Sequence, residues 1–342
     1  MKHANFLLLS STIFGFAVFT GLFFFAPSPF NFKLPLAQRA FLPIAGERVI
    51  TSNEPKTVSL VFTGDIMLAR AVERTTVERG TSWPFEELGE LFAGADLTIG
   101  NLESTVRSQP RFEVVNEMSF DITPSSLEAV RNAGFTHVSL ANNHTDDFGQ
   151  ATTDDTRRLV QEASLVPFGD PYASEDFIAR ETVNGLRVSL IGFHAFGDSL
   201  EAVAAAVADE SKIGQFVIVF PHWGPEYQTQ PGTAQIEAAQ TLVKAGAGLI
   251  VGSHPHVIQT VDVIDGVPVI YSLGNFLFDQ DFSDATMLGL TARVIVSAET
   301  IDIDLRPVRI VGRQTIPVSA TETAAILTEL GLPSDGLSVP RQ

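Results

Sequence analysis

Not one of the 342 residues is cysteine, which removes thiol nucleophiles, thiolate zinc sites, iron–sulfur clusters and disulfides together. Charge is scarce and one-sided: charged residues make up 18%, and 22 Lys and Arg against 40 Asp and Glu leave a net charge of −18. Residues 1–56 hold five basic side chains (Lys2, Lys33, Arg39, Arg48, Lys56) and two acidic ones (Glu47, Glu54), a balance of +3, so the remainder carries −21. Nucleic-acid binding needs basic residues to neutralise phosphates, so no nucleic-acid partner is expected. Also missing are a G-x-S-x-G elbow, a G-x-x-x-x-G-K-[ST] phosphate loop and a G-x-G-x-x-G fingerprint after the first strand. There is no internal repeat, and 26 Gly and 19 Pro without a period, in a chain 45% hydrophobic, exclude fibrous and disordered classes.

What is present begins with Phe6 to Phe25, twenty residues without a charge. At ~1.5 Å per residue this stretch can cross a ~30 Å hydrocarbon core. A cleaved signal peptide needs small residues at its exit, whereas Phe24-Phe25-Ala26-Pro27 is bulky, which favours an uncleaved signal anchor; either way the body is exported. The reading is a cytoplasmic head at 1–5, a single-pass membrane anchor at 6–25, a Pro-rich linker at 26–56 and a folded body at 57–314 outside the cell. A C-terminal tail follows at 315–342, with one short helix near 323–330.

Within the body, short β-branched runs alternate with helical stretches. Strands are expected at 58–63, 97–100, 136–141, 187–192, 216–220 and 248–251, and helices at 83–92, 125–132, 149–163, 199–208 and 233–245. This alternation predicts an α/β fold with parallel strands and crossover helices. Beyond Gly266 only strands follow, at 268–272, 287–297, 301–305 and 308–311, which suggests a second, more antiparallel sheet.

Polar residues gather just past the strand ends, where open α/β sheets hold ligands. Five stations follow in order: Gly64-Asp65-Ile66-Met67; Gly100-Asn101-Leu102-Glu103; Ala141-Asn142-Asn143-His144 with Asp146 and Asp147; Pro221-His222-Trp223-Gly224-Pro225-Glu226-Tyr227; and Gly252-Ser253-His254-Pro255-His256. An Asp after a strand is by default a turn former, but Asn-Asn-His and His-Pro-His at strand ends offer amide oxygens and imidazoles in ligand-like spacing. Four of seven histidines (His144, His222, His254, His256) occupy these ends; His3 and His137 read as structural, and His194 stays open between packing and site. Asp, Asn, Glu and His without Cys suit one or two divalent metals: manganese, iron, zinc or magnesium. Arg70 and Asn275 are positioned to hold an anionic group, and Glu226 to shape the pocket, alone or with Tyr227.

The order of stations resembles the calcineurin-like metallophosphoesterase superfamily. More closely, GDIMLAR, GNLES, ANNHTDDFG, HWGPEY, GSHPH and SLGNFLFD resemble the bacterial CapA family of poly-γ-glutamate capsule synthesis proteins, from about Val58 to Asp279. The resemblance implies a four-layer α/β/β/α sandwich on a membrane-anchored, outward-facing protein. It places Asp65, Asn143, His222, His254 and His256 as metal ligands and His144 as the histidine that protonates the leaving group or steadies the transition state; Asp147, close behind in the sequence, is expected to be catalytic with it. Met67 stands where the superfamily has a ligand His, and Asn101 where it has the bridging Asp, which leaves Asn101 to substrate contacts and Glu103 to supply the bridging carboxylate. One firm metal site and one weak site follow. Three functions are consistent with these residues: a component of synthesis or export of an anionic polymer beside membrane-bound synthetase subunits, a secreted phosphoesterase, or a metal-stabilised binding module without turnover.

Overall fold

The computed structural model describes residues 57–108, 118–171 and 178–342. The chain divides into two units, 1–52 and 53–342, and the described residues all fall in the second. No helix among them is long and apolar enough to cross a membrane; the apolar stretch at 6–25 lies outside the described residues.

Seventeen strands are described: β1 Val58–Ile66, β2 Leu97–Leu102, β3 Thr105–Val106, β4 Asp121–Ile122, β5 His137–Ser139, β6 Val166–Phe168, β7 Ile178–Val183, β8 Leu186–His194, β9 Phe216–His222, β10 Leu249–Val251, β11 Val261–Ile264, β12 Val267–Ile270, β13 Asn275–Leu277, β14 Leu288–Val296, β15 Thr300–Val311, β16 Gln314–Pro317 and β17 Leu337–Pro340. Six helices accompany them: α1 Arg70–Arg79, α2 Pro124–Asn132, α3 Gln150–Glu162, α4 Leu200–Lys212, α5 Thr233–Ala245 and α6 Ala320–Glu329.

The first sheet runs β16-β15-β14-β1-β2-β5-β6, with β13 against β1 and β17 against β15. The second runs β11-β12-β10-β9-β8-β7, and β3 pairs β4 apart from both. Strands β1, β2, β5 and β6 are mutually parallel, as are β8, β9, β10 and β12. Apolar side chains of both sheets, among them Leu60, Phe62, Ile99, Leu190, Ile218, Phe220 and Val251, share one core, and Phe62 stacks on Phe220 at 6.3 Å. A separate cluster joins the other face of the first sheet to α2 and α3 through Leu127, Val130, Leu159 and Val160. A third joins the second sheet to α4 and α5 through Val203, Val207, Ala239 and Leu242. Helices thus cover two sheets that face each other, the arrangement that buries both faces of parallel strands.

Several expectations change. The strands after residue 287 extend the first sheet from β1 through antiparallel pairing and form no sheet of their own. The 83–92 helix shrinks to one 3-10 turn at Trp83–Phe85; Gly89, at φ 54°, breaks the run, since a left-handed residue cannot continue a helix. The runs at 301–305 and 308–311 are one strand. Pro307 sits between the residues of β15 that pair β17 (300–303) and those that pair β16 (308–311), where its missing N–H leaves no ladder bond open on that side. The tail holds its expected short helix as α6, whose Leu327 is buried in the inter-sheet core, and beyond that expectation supplies β17, which pairs β15.

Segment 271–275 ties the two sheets together. Leu273 donates its N–H to Gly252 O beside the second sheet, while Gly274 O accepts from Asp65 N in the first. A Cβ on Gly64 would lie 1.8 Å from Gly274 O, and one on Gly252 would lie 2.1 Å from Tyr271 O. Only glycine admits this crossing, and it brings the polar ends of both sheets to one place.

Candidate metal centre

Polar residues lie at or within a few residues of the ends of β1, β2, β5, β8, β9 and β10, and register aligns several of them. Asp65 of β1 pairs with Asn101 of β2 and Asn275 of β13; His222 of β9 pairs with His194 of β8 and bridges to Ser253. Asp65, Glu103, His222, His254 and His256 are all buried, and Asp65, Glu103 and His222 each offer a ligand atom within 4.8 Å of the others. His254 and His256 flank Pro255 with φ of 95° and 58°, strained values for a side chain this large that aim both rings inward.

The donor set fits a divalent cation. Ser253 Oγ donates its hydrogen to Pro221 O and lies 3.1 Å from His222 Nδ1, which Asn101 Nδ2 also approaches, at 3.2 Å. His222 Nε2 lies 2.8 Å from Asn143 Oδ1 and 2.9 Å from His254 Nδ1. An amide oxygen and two imidazole nitrogens this close together are a donor set that a divalent cation can bind. Glu103 Oε1, fully buried and without a hydrogen-bond partner, lies 3.7 Å from His256 Nε2 and 3.9 Å from His144 Nε2.

Electrostatics separate the groups into two sides. Burial drives His222 well below the ordinary imidazole value and lowers His254 to about 4, aided in each by neighbouring imidazoles, so both are neutral, as ligands must be. Burial also acts to lower His256, but Glu103 and Asp65 overcome it and lift it to about 9. Burial raises Glu103 well above the ordinary carboxylate value, the charge of His256 opposing the shift and that of Asp65 adding to it.

Asp147 and His144 form the expected pair: His144 Nδ1 lies 3.0 Å from Asp147 Oδ2, which leaves Nε2 toward Glu103. Asp147 Oδ2 also accepts from Phe120 N at 2.7 Å, and the Phe120 ring stacks on His144 at 3.8 Å. The Arg70 guanidinium lies over the Phe120 ring at 4.4 Å and pairs with Asp279. Glu226 is exposed at the rim, where its charge bears on His254 and His256.

Three residues read as substrate contacts are committed elsewhere. Asn101 is fully buried and donates from Nδ2 to Asp65 Oδ1 at 2.8 Å and to Glu103 Oε2 at 3.3 Å. Asn275 is fully buried, with Oδ1 3.0 Å from His256 Nδ1 and Nδ2 donating to Gln280 Oε1 and Thr286 O. Arg70 meets a protein carboxylate, Asp279. The amides follow the register that buries them, and strand-end position in a sequence does not reveal which way an amide faces.

Sequence reasoning missed Phe120, Asn142, Ser253 and Asp279. Asn142, Ser253 and Asp279 lie inside the quoted motifs, whereas Phe120 sits among no recognisable signal. His194, left open above, is buried with both ring nitrogens lacking hydrogen-bond partners, and its ring lies 6.3 Å from that of His222.

Comparison with known proteins shows the family. The family model described as "Bacterial capsule synthesis protein PGA_cap" matches residues 59–280. The chain is 32% identical over 298 residues to "Capsule biosynthesis protein CapA" of Bacillus anthracis, covering 78% of this chain and 71% of that one. It is 31% identical over 245 residues to "PGA biosynthesis protein CapA" of Bacillus subtilis (strain 168), covering 66% of this chain and 64% of that relative. A "Probable polyglutamine synthesis accessory protein" of Mycobacterium tuberculosis is 26% identical over 346 residues, 80% of this chain and 90% of the other.

Proposed function

Because the chain belongs to the bacterial capsule synthesis protein PGA_cap family, we propose that it serves the synthesis or export of poly-γ-glutamate or a similar anionic polymer through a metal-dependent centre of metallophosphoesterase type. The observation that carries this reading is the meeting of Asn143 Oδ1, His222 Nε2 and His254 Nδ1 beside the unpartnered Glu103 Oε1. Those side chains would hold the ion. Bound there, manganese, iron, zinc or magnesium supplies positive charge to an oxygen of the scissile group. His144 is held by Asp147 and by the Phe120 face, so its Nε2 is oriented to give or take a proton at the centre. Phe196, 57% exposed, lies 4.6 Å from the His254 ring, and exposed Tyr227 lies 6.2 Å from that of His256, so both flank the proposed centre.

In the same reading, residues 6–25 anchor the chain in the cell membrane with the body outside, beside membrane-bound synthetase subunits. The test combines metal analysis of the purified chain with polymer output in a deletion strain of the parent organism. The wild type retains stoichiometric metal and restores polymer; His222→Ala and His254→Ala lose both. Full polymer output from metal-free His254→Ala protein would sink the proposal, and rapid metal-dependent phosphodiester cleavage with polymer output unchanged in the deletion strain would replace it with the phosphoesterase reading.

A further inference from the structure

The three groups Asp65, Glu103 and His222 look, by distance alone, like a place for a second ion. That space is filled. Asn101 Nδ2 lies 2.8 Å from Asp65 Oδ1, 3.3 Å from Glu103 Oε2 and 3.2 Å from His222 Nδ1, at the middle of the trio.

The orientation of this amide is fixed from outside the centre. Asn142 Oδ1 accepts from His144 N and from Thr145 Oγ1, both at 3.0 Å, so it is the oxygen of that side chain. Its nitrogen therefore faces Leu102 O at 2.9 Å and Asn101 Oδ1 at 3.0 Å. Asn101 is thereby compelled to present its NH2 to the carboxylates, one hydrogen for each. Every residue in this chain of amides is fully buried apart from His144, at 8% exposure, so water cannot substitute for a link.

The remaining ligand that a second ion would need is also missing. Met67 is fully buried in the apolar cluster under the first sheet, and its Sδ accepts from Ala69 N at 3.1 Å. His256 Nδ1 is engaged by Asn275 Oδ1 at 3.0 Å and Asp65 Oδ2 at 3.3 Å.

We propose that the amide of Asn101 replaces the second cation, so that this centre holds one divalent ion, at Asn143, His222 and His254, with Asp65 retained as a hydrogen-bond acceptor. The proposal rests on the metal-centre reading above and adds its nuclearity. An amide nitrogen carries two N–H donors and no lone pair for a metal, so it satisfies both carboxylates and bars a cation from the same space. Asn101 is a positioning residue here, acting through Asp65 and Glu103.

The experiment uses the detergent-solubilised full chain loaded with manganese(II) alone. Metal per chain is measured by elemental analysis, and the bound ion by electron paramagnetic resonance. The expected result is close to one ion per chain and the spectrum of an isolated ion. Asn101→Asp, and Asn101→Asp with Met67→His, are expected to raise the content toward two and to give a spin-coupled spectrum, with the double variant binding the second ion more tightly. Two ions or a coupled spectrum in the wild type would overturn the proposal while leaving the metal-centre reading intact. No ion in the wild type would overturn both. Well-folded variants that still bind a single ion would show that Asn101 is not what bars the second. The wild-type spectrum decides the matter even where a variant does not fold.

Discussion

Asp198 shows how a single side chain sets a pH dependence next to the centre. Its Oδ2 accepts from His194 N at 2.7 Å, while Oδ1 is buried without a hydrogen-bond partner, and burial raises the carboxyl from 3.8 to about 6 despite that hydrogen bond. A group whose pKa is higher in the folded chain binds its proton more tightly there, so its stabilising contribution is present below 3.8 and lost as pH rises through about 6. Asp198→Asn keeps the oxygen acceptor and removes the charge. Allowing for its partial exposure to solvent, the variant is expected to raise Tm by roughly 2 °C near neutral pH and to leave it unchanged near the acid end of the folding range, measured by calorimetry across pH. At this scale the sequence was only partly legible. Imidazoles and carboxylates at strand ends stand out by type, but Asn101 and Asn275 do not disclose whether they face a ligand or brace the residues that do, because register, not identity, decides it. Phe120 carries no signal at all, since its role depends on being stacked against His144 from a distant part of the chain.

Among elements, the link 271–275 matters most. Gly64→Ala puts a methyl group against the Gly274 carbonyl, in a place where backbone must move for it. A destabilisation of about 3 kcal/mol or more is expected from denaturant unfolding. Under the proposed metal-centre reading, metal affinity should fall along with it, because Asp65 and Asn275 are held in register through that crossing. An Ala variant with unaltered stability would mean that the strands separate at little cost. The parallel strands were readable because they are long, apolar runs punctuated by Gly, Asp, Asn or His. Short or half-exposed edge strands such as β6, with Pro167 inside it, and β7, with three of its six side chains partly buried and two exposed, were not. Helix α1 escaped notice for a similar reason: it buries only Val72, so its sequence has almost no apolar stripe to read.

The whole molecule presents a net charge of −18 to a substrate proposed to be a polyanion. Long-range repulsion slows their encounter, and salt screens it, since the Debye length falls from ~30 Å at 0.01 M to ~8 Å at 0.15 M. Association with poly-γ-glutamate is therefore expected to quicken several-fold over that range of salt, the reverse of a basic polyanion receptor, as followed by stopped-flow fluorescence of its two Trp residues. A rate that falls with salt would point to a cationic path at the mouth. The broad α/β architecture was legible from the strand–helix alternation, whereas the assignment of β14 to the first sheet was not, because pairing between strands more than 200 residues apart leaves no mark on local composition.

The crossing of 271–275 also sets a timetable. The residues at the centre extend from Asp65 to His256, and the strand end that braces His256 comes later still, at Asn275. A growing chain that has delivered only its first half possesses carboxylates and amides but none of the imidazoles His222, His254 and His256, so it has little with which to compete for an ion. In the proposed metal-centre reading, metal acquisition would mark the completion of folding and could not seed it, and a chain truncated before residue 254 is expected to leave its acidic strand ends uncompensated.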